Sequence, residues 1–205
     1  MKPTPFILIL FSSLLLLAGC KKEDTNSQTF PLHAAGNFSA TDYAVYSACI
    51  NSIFESSPEL VIRQFTISST PSELQARFSN ALLTEFPDFP PTLFPDYISK
   101  NSSADFLGSQ FTTPEKRIRQ VAEQELEYYS ETLNSQEFWG KFNLEYPNAN
   151  GYLTFSKIGY NTDATHAILE MGHSWATAGG QGLLLYLRFN GTDWVILKSI
   201  QSWIA

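Results

Sequence analysis

Cysteine is nearly absent from this 205-residue chain, which has only Cys20 and Cys49. So few thiols build no disulfide framework, and stability must come from packing. Basic residues are also few, 13 lysines and arginines against 20 acids, for a formal net charge of −7. Such a surface repels phosphate, and no basic patch interleaved with aromatics overcomes the repulsion, so nucleic acid is excluded as a partner. Histidine occurs three times, at His33, His166 and His173, which limits every histidine-dependent chemistry considered below. No apolar run reaches the about 20 residues of a membrane-spanning helix, and the longest is interrupted by Ser12 and Ser13.

That longest run has a meaning of its own. Lys2 precedes the apolar residues 6–11 and 14–17, and the small residues Ala18 and Gly19 stand before Cys20. This is the pattern of a secretory signal. Leu17-Ala18-Gly19-Cys20 resembles the bacterial lipobox, which implies a lipoprotein signal peptide over residues 1–19 and lipid attachment at Cys20. Cys49 is then left without a partner. Residues 20–37 are polar and punctuated by Pro31 and Gly36, so they are expected to form a lipidated flexible tether. His33 stands alone there, with no neighbour fixed beside it to make a ligand set. Cys20-Lys21-Lys22-Glu23-Asp24 resembles the export signal of surface lipoproteins in Bacteroidota. The expected location is the bacterial cell envelope, lipid-anchored at the outer membrane and surface-exposed.

The remaining residues, 38–205, have the length of one α+β domain. Tyr43, Tyr46, Ile50, Ile53 and Phe54 recur at three and four, the stripe of an amphipathic helix from Thr41. Cys49 falls on that stripe and reads as a small buried hydrophobe. Glu59 to Ile67 is rich in β-branched and aromatic residues and reads as a strand. Thr70-Pro71-Ser72-Glu73 forms a capping box that opens a helix through Leu74, Phe78 and Leu82. Phe-Pro-Asp, twice within residues 86–96, breaks regular structure and is followed by a short helix. The spacing of Ile118, Val121, Leu126 and Tyr129 predicts a helix over 114–133, and Ser135 to Tyr146 another. Four strand-like runs follow, separated by turn residues such as Asn190-Gly191. Short connectors imply antiparallel pairing, so the expected architecture is N-terminal helices packed on one face of a C-terminal antiparallel meander.

Residues 172–182, Gly-His-Ser-Trp-Ala-Thr-Ala-Gly-Gly-Gln-Gly, imitate a nucleophile elbow. The imitation fails, because no histidine follows Ser174 and the pattern ends in Ala176 rather than glycine. His166 and His173 differ by seven positions and point to opposite faces of one strand, so they do not converge on a metal. His173 shares a face with Leu169, Met171 and Trp175, and His166 with Ile168 and Glu170. The glycines lack the lysine of a phosphate loop and are expected to serve a turn. Glu123, Glu127 and Glu131 lie on one helix face, which reads as solvated rather than cation-binding. No catalytic, metal or cofactor set emerges.

The C-terminal third resembles a family of uncharacterised bacterial secreted proteins and lipoproteins. Trp139, Phe142, Tyr146, Pro147, Gly151, Ser156, Gly159, Asn161, Gly182 and Trp194 carry the likeness. It extends more weakly to residues 43–54 and the strand after them. That family often has a Cys-Gly/Cys-Gly loop where this chain has Trp175 and Gly179. The resemblance implies fold and export, and no mechanism. The expectation is a non-catalytic module binding a protein or small-molecule partner, with Trp175, Phe89 and Phe94 as candidate binding surface. The alternative is an extracytoplasmic hydrolase built from scattered acids.

Overall fold

The computed structural model describes residues 29–85 and 89–205, with the backbone alone for 79–85. The expected signal peptide, Cys20, the charge run after it and Phe86 lie outside the described residues. From Thr29 the chain is seated against the domain. Phe30 meets Tyr128 and Tyr129 with ring centroids 5.4 and 6.0 Å apart. His33 stacks on Phe106 at 4.1 Å, and its amide donates to Gln64 Oε1 at 2.9 Å. His33, expected to be alone, therefore has fixed neighbours, contributed by residues far along the chain.

Helix α1 (Ala40–Ile53) starts where Ser39 and Asp42 form a capping box: Ser39 Oγ accepts from the Asp42 amide, and the Asp42 carboxylate accepts from Ser39 N. Strand β1 (Glu59–Arg63) follows. Helix α2 (Pro71–Glu85) begins at the predicted box, with Thr70 N donating to Glu73 Oε2 at 2.8 Å. Then come α3 (Leu93–Lys100), β2 (Arg117–Val121), α4 (Glu123–Thr132) and α5 (Ser135–Glu145). Strands β3 (Tyr152–Phe155), β4 (Gly159–Tyr160), β5 (His166–Ala176), β6 (Gly179–Phe189) and β7 (Trp194–Ile204) complete the chain.

These strands form one seven-stranded mixed sheet in the order β2-β1-β3-β5-β6-β7, with β4 pairing β5. The single helix expected over 114–133 is corrected. Glu115 adopts a left-handed backbone (φ 71°), which a helix interior does not accommodate. After it Ile118 and Val121 alternate onto opposite faces, Ile118 joining the core under α1 and Val121 the core under α4 and α5. That strand pairs in parallel with β1, Leu60 opposite Ile118, and β1 pairs in parallel with β3. From β5 to β7 the pairing is antiparallel, but the sheet as a whole is not the expected antiparallel meander.

Helices cover both faces, not one. The reason is in β5, where residues 167–172 are buried without interruption, so neither of its faces is left to water. On one face α1 packs Tyr46, Cys49 and Ile50 against Ile62, Phe155, Leu169 and Leu185. On the other, α2 and α3 bring Leu74, Phe78 and Tyr97 onto Ile168, Leu184 and Tyr186, while α4 and α5 bring Leu126, Phe142 and Tyr146 onto Val61 and Val121. Cys49 is fully buried, and burial pushes its thiol well above the usual range.

Candidate functional site

The stretch that imitates an elbow begins at the end of β5, and its side chains part company there. His173, on the α1 face, meets Phe54 edge-on at 5.1 Å and donates from Nε2 to the Asn150 carbonyl. Ser174 faces the opposite side, toward α4 and α5. His166 shares the face of Ser174 but lies eight residues away along the strand, about 26 Å at the rise of a strand, and stacks on Tyr186. Ser174 thus has neither β5 histidine as a base. Burial lowers the affinity of both rings for a proton, aided at His166 by Arg188 and opposed at His173 by its bond to Asn150.

Three of the less exposed acids lie beside arginines, although one carboxylate oxygen of Glu59 accepts no hydrogen bond among the described residues. Glu170, 2 % exposed, takes Arg77 at 2.5 Å and accepts a hydrogen bond from Ser202 Oγ at 2.8 Å. Glu123 is held in a bidentate pair by Arg63, so it does not join Glu127 and Glu131 as a ligand set. Glu59 lies 3.7 Å from Arg117 and 3.8 Å from Arg119. Among the described residues, no group of three or more histidine, cysteine or acidic side chains is placed to hold a metal ion.

The three aromatic residues singled out from the sequence are not brought together. Phe89 and Phe94 pack on the core under α2 and α3, Phe89 against Tyr186 and Phe94 stacked with Tyr97. Trp175 is half-buried at the β-bulge that ends β5, beside His173 on the α1 face. Gly151, with φ 81°, allows the approach at this bulge, since a Cβ there would stand 2.7 Å from Trp175 Cα.

The residues that do converge were not foreseen. The turn between β5 and β6 is made by Thr177 and Ala178, while Gly179, Gly180 and Gly182 belong to β6, so the expectation that these glycines serve a turn is corrected. Gly180 and Gly182 lie two apart, on one face, and Gly182 pairs across with Gly172 of β5 and with Trp203 of β7. Together they form a floor without Cβ atoms, on which the Trp203 indole lies across the strands. A Cβ at Gly180 would stand 2.9 Å from Trp203 Cζ3, and one at Gly172 3.1 Å from Cζ2. Gly in a strand interior commonly marks such a close approach.

Above this floor is a cleft of about 310 Å³. Its walls are Phe138, Trp139, Tyr152 and Trp203, all half-buried. Trp139 and Tyr152 lie nearly parallel, 17° apart with centroids at 6.0 Å. Its hydroxyl side chains are Ser130, Ser135, Ser174, Thr177 and Tyr152, and no charged side chain lines it. A larger open groove of about 1170 Å³ runs beside α1. Its helix wall includes the small-residue row Ala40, Ala44 and Ala48, and its rings are Phe38 against Tyr43 and Phe189 against Trp194, which also meets Tyr160. The cleft differs from the groove in having the glycine floor that seats Trp203 and no charged side chain, where the groove has Asp193. Comparison with protein-family models, with curated proteins and with solved structures finds no match for this chain.

Proposed function

We propose that this chain is a lipid-anchored protein of the bacterial cell envelope, held at the outer membrane through Cys20, and that it is a non-catalytic module binding an uncharged small molecule in the cleft above Trp203. The observation that carries the binding reading is the cleft itself, four ring walls with hydroxyls between them and no acidic or basic side chain. Small-molecule sites are commonly concave, mostly apolar and supplied with a few placed polar groups. The pairing of Glu123 with Arg63 and of Glu170 with Arg77 supports binding over acid-base hydrolysis at those two acids. The anchor rests on the signal and lipobox pattern of residues 1–20, and no helix among the described residues is long and apolar enough to cross a membrane.

Two measurements test this reading. Cys20→Ala should release the chain from membranes in a detergent-free fractionation, while the wild type withstands a high-salt wash because two or more acyl chains anchor stably. An alanine variant that still pellets would remove the anchor. For the cleft, the indole N–H resonances of the four tryptophans in the detergent-solubilised full chain report contact separately. Uncharged small molecules should move those of Trp139 and Trp203 and leave Trp175 and Trp194 in place. If none of a broad set of uncharged compounds does so, the cleft is not a binding site.

A further inference from the structure

We infer that the cleft takes a neutral saccharide, an inference that rests on the reading of the cleft as a binding site and names its ligand class. The first argument is shape. Trp203 is pressed flat on Gly172, Gly180 and Gly182, so one indole face is used by the floor and the other faces the cleft. A pyranose ring presents a face of C–H bonds that settles on the negative face of an indole, a weak but additive contact. The nearly parallel Trp139 and Tyr152 offer further ring surface on the side wall. At about 310 Å³ the cleft lies at the low end of small-molecule sites, roughly 300 to 1,000 Å³, which suits a short saccharide.

The second argument is polarity. Ser130 already gives its proton to the Glu127 carbonyl, while Ser135, Ser174 and Thr177 each offer a hydroxyl that donates and accepts, the same dual capacity that every sugar hydroxyl has. A purely apolar ligand would bury these hydroxyls without partners, at a cost for each. A phosphate or carboxylate would find no positive charge among the lining side chains. Stacking surface and neutral hydroxyls together select a ligand that is apolar on its faces and hydroxylated around its rim. The sequence signal for this arrangement is small: glycines two apart in β6 and a tryptophan near the chain's last residues.

The test titrates the detergent-solubilised full chain with millimolar neutral oligosaccharides of differing linkage, and separately with uncharged heteroaromatic compounds, following the four indole N–H resonances. At least one oligosaccharide should shift Trp139 and Trp203 but not Trp175 or Trp194. Trp139→Ala should weaken that affinity about tenfold, the equivalent of roughly 1.4 kcal/mol, and Trp139→Phe should recover part of it by restoring a ring. Shifts confined to Trp175 or Trp194 would overturn the assignment to this cleft. Heteroaromatic compounds that move Trp139 and Trp203 where every saccharide fails would overturn the saccharide class and leave the binding site standing. Silence from both sets would remove both. The wild-type spectra decide these outcomes even if the alanine variant does not fold.

Discussion

One added carbon distinguishes a seat for Trp203 from an accident of spacing. Gly182→Ala would drive a methyl group into the indole near Nε1, so the ring must lift or the strand must shift. Overpacking of this kind costs about 1 to 3 kcal/mol, whereas Ser174→Ala, on the cleft rim, should stay within about 0.5 kcal/mol. Urea melts rank the two, and a larger loss at Ser174 would show that the indole does not depend on its floor. Fluorophosphonate labelling of Ser174 is expected to be absent, because neither β5 histidine reaches it. His173 makes a different prediction at the same scale. Burial outweighs the bond to Asn150, so the ring binds a proton more weakly in the fold than in the unfolded chain. Its stability contribution is whole above the ordinary histidine value of about 6.5 and declines as pH falls through and below that value. Lowered affinity at His166 acts in the same direction. His173→Gln should flatten the fall of the urea midpoint between about pH 7 and pH 5, and an equally steep fall in the variant would assign the effect elsewhere.

Among the elements, α2 is tied to the sheet by the charged contact of Arg77 with Glu170, whose loss should be costly. Arg77→Ala leaves the carboxylate of Glu170 inside the α2 face with Ser202 as its remaining hydrogen-bonding side chain among the described residues. Breaking a buried pair from one side costs about 3 to 5 kcal/mol, and the partial exposure of Arg77 places this one toward the lower figure. Arg77→Ala combined with Glu170→Leu should be less destabilised than Arg77→Ala alone. A double variant that melts below the single would mean that Glu170 is supported mainly by its hydrogen bonds. What was legible in the sequence follows the same local logic. The starts of α2 and α5 and the runs from β5 to β7 were readable because caps, turns and alternation act within a few residues. Strand β2 was not, since a five-residue run becomes a strand only through β1, whose pairing with it is not written locally. The candidate cleft was hidden for that reason too. Trp139, Tyr152 and Trp203 come from α5, β3 and β7, while Phe89 and Phe94, prominent in a proline-rich loop, turned inward to the core.

The whole molecule is a sheet clad on both sides, and its two halves are assembled by different rules. From β5 to β7 each strand pairs with its successor across a short turn. At the other edge, β1 lies between β2 and β3, with Leu60 opposite Ile118 and Val61 opposite Tyr152. Both partners are made long after β1 in chain order, and neither can be reached by a hairpin. Closing loops of that length costs entropy before any contact repays it, and pairings of high sequence separation form slowly. The C-terminal hairpins therefore have the shorter route to native pairing, and β1 waits for a slot that opens only once β3 is present. Until it is filled, the alternating apolar residues of β1 and the rims of β2 and β3 stand as open edges, the surfaces by which unfinished β proteins join one another. A chain synthesised from its N-terminus thus carries its most vulnerable strand first and completes it last, which gives the interval between synthesis and full pairing, more than the finished fold, the larger share of its aggregation risk.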